Sequence, residues 1–334
     1  MEASLPFIWA CLIAFAILAY VVLDGFDLGL GILFPFIRGA RDRDTVVNSV
    51  APVWDGNETW LILGGGGLLA AFPLAYSVVL TALYAPIIAM LIGLIFRGVA
   101  FEFRFRSVEN RAFWDFGFAA GSYVATFCQG IALGAFVQGI AVEGRHYAGG
   151  WFDWLTPFSL MTGAALVVGY ALLGACWLIM KTEGPLQERM YRSALPLGVG
   201  VVALIAVVSI WTPFLDPEIA DRWFSWPSIA LVSPVPLLVA GLAATLAWSL
   251  MQRRTVLPFL TALGLFVLSY VGLGISLYPY IIPRSYTIWR AAAPPESLGF
   301  MLVGAAVLLP IILGYTAYAY WVFRGKVGHD EGYH

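Results

Sequence analysis

Asn48–Phe72 reads NSVAPVWDGNETWLILGGGGLLAAF, and Ala19–Phe34 reads AYVVLDGFDLGLGILF. Each sets carboxylates against apolar sequence: Asp55 and Glu58 at the lip of the first stretch, Asp24 and Asp27 inside the second. The apolar run holding Asp24 and Asp27 extends from residue 7 to 34. An α-helix crosses the hydrocarbon core with about 20 such residues. An isolated charge at that depth costs about 3 kcal/mol on insertion scales, so acids there face protein or water and mark ion or proton paths.

The rest of the chain has the same character. Of its 334 residues, 61% are hydrophobic and 11% charged, with a mean hydropathy of +0.85. Soluble domains carry about a quarter charged residues, so the chain reads as an all-α polytopic membrane protein. With a net charge of −2 and no basic stripe, nothing fits nucleic acid. Nine apolar runs are long enough to span: 7–34, 57–76, 78–103, 112–140, 158–181, 196–215, 228–252, 256–281 and 297–323. "PLAYS" between the second and third reads as a tight hairpin turned by Pro73. The connections are short, so any chemistry sits inside the bundle or on a partner. Glu2 stands where a signal peptide carries basic residues, and the first run is therefore read as a membrane helix.

Lys and Arg alternate between connections. Fourteen fall on one side; only Arg145, Arg222, Arg284 and Arg290 fall on the other. The positive-inside rule then places the N-terminus outside and the C-terminus in the cytoplasm. "AYVVLDGFDLGLG" and "GYALLGACWLIMK" (Gly169–Lys181) share a Tyr followed by Gly. That faint likeness suggests two four-helix units, 1–140 and 158–281, and a ninth helix at 297–323.

Three residues apart on a helix, Asp24 and Asp27 share one face. Counted from Pro6, Asp24 lies about 27 Å along the helix, in the cytoplasmic half. Asp55 opens the second span from the same side, so the three acids are expected to approach one another, and like acids hold at least one proton more tightly. The plainer reading is that Asp55 and Asn57 cap the second helix. "NET" at Asn57 matches a glycosylation sequon by chance at a cytoplasmic helix start. Asp115, near the start of the fourth span on that side, is a further candidate for the acid cluster. Glu102 is placed to pair with Arg106, with Arg97 competing, and the arginines there suit lipid phosphates. The glycines Gly64–Gly67 allow close helix approach or leave a groove, and Trp60 beside them lines it or sits in the interfacial aromatic belt. Gln129 and Gln138 are read as interhelical hydrogen bonders. Cys11, Cys128 and Cys176 form no metal or disulfide pattern and are read as small buried hydrophobes. The histidines, His146, His329 and His334, fall in an outer loop and the C-terminal tail, so no span offers an imidazole to a haem. No phosphate loop, dinucleotide fingerprint or catalytic triad is present.

Five blocks carry a family resemblance: "LDGFDLGLG" (Leu23–Gly31), "NSVAPVWDGNETWLI" (Asn48–Ile62), "FRGVAFEFR" (Phe96–Arg104), "WDFGFAAGSY" (Trp114–Tyr123) and "LYPYIIPRS" (Leu277–Ser285). The chain resembles subunit II of the bacterial cytochrome bd-type quinol oxidases, and the likeness runs from the first span to the last connection. The resemblance implies a haem-free subunit in the bacterial inner membrane, paired with a subunit I that binds two haem b and one haem d. Quinol is then oxidised by the complex near the outer face, and oxygen is reduced to water with protons from the cytoplasm. It further implies roles for Asp27 and Asp55 in proton delivery or a cation site, and for Trp60 near an oxygen route; Asp24 and Asp115 are added from position alone. Asn57, Glu58, Arg97 and Glu102 are taken as helix-end polar contacts. A structural quinone or lipid on this chain, and small single-helix accessory subunits, fit the same picture. The alternative is a proton-coupled secondary transporter using the same acids.

Overall fold

The computed structural model describes residues 4–107 and 109–327; Glu2, His329 and His334 lie outside the described residues. It is helical almost throughout. In chain order the helices are α1 (Leu5–Leu33), α2 (Ala40–Asn48), α3 (Trp54–Ala71), α4 (Pro73–Ala82), α5 (Tyr84–Arg106), α6 (Arg111–Gln138), α7 (Pro157–Lys181), α8 (Gly184–Trp211), α9 (Pro217–Phe224), α10 (Ser228–Val232), α11 (Pro234–Met251), α12 (Leu257–Leu277), α13 (Ile288–Ala291) and α14 (Pro295–Val322). Two short antiparallel hairpins pair β1 (Val142–Glu143) with β2 (His146–Tyr147), and β3 (Tyr280–Ile282) with β4 (Tyr286–Thr287).

Eight helical segments among the described residues are long and apolar enough to cross a membrane. They correspond to the expected runs except 57–76. That run is divided between α3 and the start of α4; α3, with Asp55, Asn57 and Glu58 in its first turns and four glycines further on, is not among the eight. At 18 residues α3 is about 27 Å long.

Two helix starts differ from expectation, both at prolines. The connection after α3 is not a tight turn: Pro73 occupies the first helical position, where its missing N–H costs nothing, and begins the ten-residue α4. The third span therefore starts at Tyr84. Likewise α8 starts at Gly184, with Pro185 in its first turn, and absorbs the polar "LQERMYR" segment. Pro196 lies inside it, as membrane helices tolerate.

Packing is organised around α1 and α7. The two segments that resemble each other in sequence cross here: a Cβ on Gly29 would overlap the carbonyl oxygen of Tyr170, and one on Gly174 would stand 2.6 Å from the carbonyl carbon of Gly29. Glycine at both positions lets the backbones touch. A second such crossing joins α5 to α6, where a Cβ on Gly93 would lie 2.8 Å from the Gly121 carbonyl oxygen. Only half of the Gly64–Gly67 run behaves this way. Gly64 and Gly67 face Ile17 and Ile13 of α1, while Gly65 and Gly66 look out with open space around them. Beside the α1–α7 crossing, Phe26 stacks on Trp177 at 4.1 Å between centroids, with Phe259 of α12 edge-on to both. Of the cysteines, Cys176 is buried and Cys128 half-buried; Cys11, on the outward side of α1, is exposed, contrary to expectation.

The two ends of the bundle differ in chemistry. At one end α4 meets both hairpins and α13, and Arg284 pairs with Asp216 at 2.8 Å. At the other, ion pairs knit α2 to its neighbours: Arg43–Asp115 and Arg104–Asp44, with Arg189 on Asp42. There Lys181 also donates to the Phe323 and Gly325 carbonyls, holding the end of α14.

Candidate functional site

The site begins with the spacing of "DGFD". On α1 it turns Asp24 and Asp27 to the same side, and both are fully buried. The group that meets them comes from α5. Its buried face runs through Met90, Gly93, Leu94, Arg97, Ala100, Phe101 and Arg104, so Arg97 points into the bundle rather than along a helix end. Arg97 Nη1 bonds Asp24 Oδ1 at 2.9 Å, and Nη2 lies 3.8 Å from Asp27 Oδ2; all three side chains have no exposed surface. The guanidinium also sits 5.7 Å from the Phe101 ring centroid. Arg97 is thus unavailable to compete for Glu102, which pairs instead with Arg106 at 3.7 Å.

The second side of the centre is α3. Asn57 Nδ2 donates to Asp27 Oδ2 at 2.8 Å and to the Leu23 carbonyl at 3.3 Å. From α14, Tyr320 donates its hydroxyl to Asn57 Oδ1 at 2.8 Å. Asn57 is therefore buried and engaged, neither a cap nor a glycosylation acceptor. Asp55 is no cap either: the residue at the N-cap is Val53, and no side chain closes that helix end. Asp55 is exposed and lines a cleft of about 490 Å³. The cleft's other walls are the Ala51–Val53 connection, Glu102, and Tyr315, Thr316, Ala319 and Tyr320 of α14, with Asn57 among its lining. Glu58 is half-buried and near enough to Arg97, Asp24 and Asp55 to feel their charges.

Chemically, one guanidinium faces two carboxylates. The centre therefore holds either one surplus negative charge or one proton, and in a low-dielectric interior the choice between these states is costly and responsive to its surroundings. It is not the cluster of three acids expected from sequence, because an arginine stands between Asp24 and Asp27 while Asp55 stays at the cleft.

Asp115 belongs elsewhere. It accepts from Arg43 at 2.9 Å and from Arg104 at 2.6 Å, and Arg104 and Arg111 both reach Asp44. Of the arginines expected at lipid phosphates, Arg97 and Arg104 are buried and paired inside the protein; Arg106 is the exposed one. Trp60 is buried in the α1–α3 seam beside Ala16, Ala19 and Tyr20, edge-on to Phe15 at 5.7 Å, and so lies in neither the aromatic belt nor an open groove. Gln129 donates to the Tyr170 hydroxyl at 3.0 Å and Gln138 accepts from Thr156 at 2.5 Å, both linking α6 toward α7. Among the described residues no group of three His, Cys, Asp or Glu is placed to hold a metal, and His146 lies in β2. Sequence reasoning missed the burial of Arg97, for which the spacing with Gly93 and Ala100 was a usable signal, and Tyr320, which looked like one aromatic among many.

The chain matches, over residues 5–323, the family described as cytochrome bd terminal oxidase subunit II. It is similar to the cytochrome bd-I ubiquinol oxidase subunit 2 of Escherichia coli K12, with 31% identity over 98% of this chain and 96% of that one. It is also similar to the cytochrome bd ubiquinol oxidase subunit 2 of Bacillus subtilis 168, with 29% identity over 98% of both. A chain in the structure of bd oxidase from Geobacillus thermodenitrificans has the same fold, with a TM-score of 0.76 at 17% identity, covering 96% of this chain and 98% of that chain. By sequence along nearly its whole length, the chain belongs to the cytochrome bd terminal oxidase subunit II family.

Proposed function

We propose that the chain is the haem-free half of a bd-type quinol:oxygen oxidoreductase in a bacterial inner membrane, and that its own contribution is proton access from the cytoplasm. The observation that carries this is the connection from the cleft at Asp55, past Asn57, to the buried Asp27, Arg97 and Asp24. The excess of Lys and Arg at that end of the bundle supports placing it on the cytoplasmic side. In this reading α3 counts as a ninth span, the N-terminus is outside, and 1–140 and 158–281 form two four-helix units joined by the glycine crossing of α1 and α7.

The haems, two b and one d, belong to subunit I and supply the oxygen chemistry when bound there. On this chain, Asp55 gathers protons at the cleft and Glu58 adds negative potential beside it. Asp27 and Asp24 hold a proton in turn, against Arg97. Asp115 is better read as part of the arginine network that fixes α2. Trp60, in apolar surroundings, remains the proposed residue for an oxygen route. The exposed apolar faces of α5, α11 and α14 offer surface for subunit I, single-helix accessory subunits, a structural quinone or lipid. The family membership leaves no reason to retain the transporter reading.

Asp55→Ala in the purified complex is expected to lower quinol-driven oxygen uptake about 10-fold or more, as loss of a positioned proton-transfer group does. The b- and d-haem absorption bands should stay near their normal intensity. Parallel loss of uptake and haem would assign Asp55 to assembly and remove it from proton delivery.

A further inference from the structure

α14 touches the rest of the chain at few places, and one of them is the Tyr320–Asn57 hydrogen bond. An amide side chain offers an acceptor oxygen and a donor nitrogen. Here the nitrogen faces two acceptors, Asp27 Oδ2 and the Leu23 carbonyl, and the oxygen faces one donor, the Tyr320 hydroxyl. Only one of the two flipped orientations satisfies all three bonds. The reverse would press the amide oxygen against a carboxylate and a carbonyl. Tyr320 is itself steadied by edge contacts to Phe26 and Trp177, with centroids at 6.5 and 6.4 Å, and it lines the cleft together with Asn57.

We propose that Tyr320 is a positioning residue for proton uptake: through Asn57 it keeps an N–H donor on Asp27 and so sets how tightly Asp27 holds a proton arriving from the cleft. The inference rests on the reading of Asp27 as a proton carrier. A donor on a carboxylate favours its charged form. Asp27 also faces Arg97 from α5, Asp24 from its own helix and Glu58 from α3, and Asp24 is in turn within range of Tyr320. Those charges set the baseline; Tyr320, neutral and one residue removed, acts on it through orientation. The amide does not relay the proton. It keeps Asp27 in the state that can accept one.

Tyr320→Phe keeps the ring and its packing while deleting the hydroxyl. In the intact complex, haem content should be unchanged, and the pH at which quinol-driven oxygen uptake falls to half on the alkaline side should rise by about 0.5–1, because an Asn57 amide released on its oxygen side bonds Asp27 less firmly and Asp27 keeps its proton to higher pH. Asn57→Leu should move the profile the same way, and adding Tyr320→Phe to it should move it no further, since contacting residues that act as a unit are non-additive. Should Asn57→Leu not assemble, Asn57→Ser serves in the same cycle. A wild-type pH profile in Tyr320→Phe, a fall in uptake equal at every pH, or additive shifts would each overturn the proposal. Asp27→Asn separates the two levels. If it leaves the profile unchanged, the proton-carrier reading fails and this inference with it; if it changes the profile while Tyr320→Phe does not, the inference alone fails.

Discussion

Arg97→Gln is expected to abolish or nearly abolish recovery of assembled protein. The substitution keeps much of the side-chain length but removes the positive charge that is bonded to Asp24 and near Asp27, leaving two carboxylates with no exposed surface. Breaking a buried pair by removing one partner costs about 3–5 kcal/mol, because the survivor stays buried and uncompensated. Two survivors share one pocket here, so the upper part of that range applies. The yield of haem-bearing complex from membranes and its thermal unfolding temperature measure the effect. Adding Asp24→Asn to Arg97→Gln removes one of the stranded charges and should restore part of both. Arg97→Lys should fall between, since an ammonium lacks the planar fork that reaches toward both acids. Normal yield and melting of Arg97→Gln would mean that the centre is neutralised by other means.

The second large effect is steric. Gly29→Ala adds one methyl at a position where a Cβ would overlap the Tyr170 carbonyl oxygen. The atom in the way is backbone and cannot rotate aside, so α1 and α7 must separate along the seam that also carries Phe26 on Trp177. Overpacking in a core usually costs about 1–3 kcal/mol, and a clash between two helix backbones lies at or beyond the top of that range. Gly241→Ala makes the same chemical change in α11, where the new methyl meets nothing within 4 Å. There the higher helix propensity of alanine should leave stability unchanged or raised by up to about 1 kcal/mol. Thermal unfolding of the two variants side by side tests the contrast; equal melting temperatures would show that the α1–α7 crossing tolerates spreading.

Much of this architecture was legible from composition, because an apolar run of twenty residues has few fates other than a spanning helix. The ends were less legible. Pro73 reads as a break, yet it sits in the first turn of α4, and α8 begins at Gly184, well before the expected run at 196–215. The site was half legible. The spacing of Asp24 and Asp27 on one face was enough to bring them together, since a helix's geometry is local. Arg97 was misread because a charge near the end of a run is normally counted as interfacial; the small residues Gly93 and Ala100 on its own face mark it as inward-facing. Asp55 and Asn57 looked like a cap pair, although only the arrival of α14, 263 residues after Asn57 along the chain, gives Asn57 its acceptor role toward Tyr320. Such long-range pairings leave no mark in a local reading.

That distance has a bearing on biogenesis. During translation Asp24, Asp27, Asn57 and Arg97, on α1, α3 and α5, are made long before the ribosome reaches Tyr320 at the far end of α14. Tyr320 thus reaches Asn57 only after the other three helices of the centre have been made, and Lys181, donating to the carbonyls of Phe323 and Gly325, holds the end of α14 in place. A nascent chain that stops short of α14 leaves the buried Asn57 amide oxygen without its Tyr320 donor, so the centre is complete only once α14 has docked.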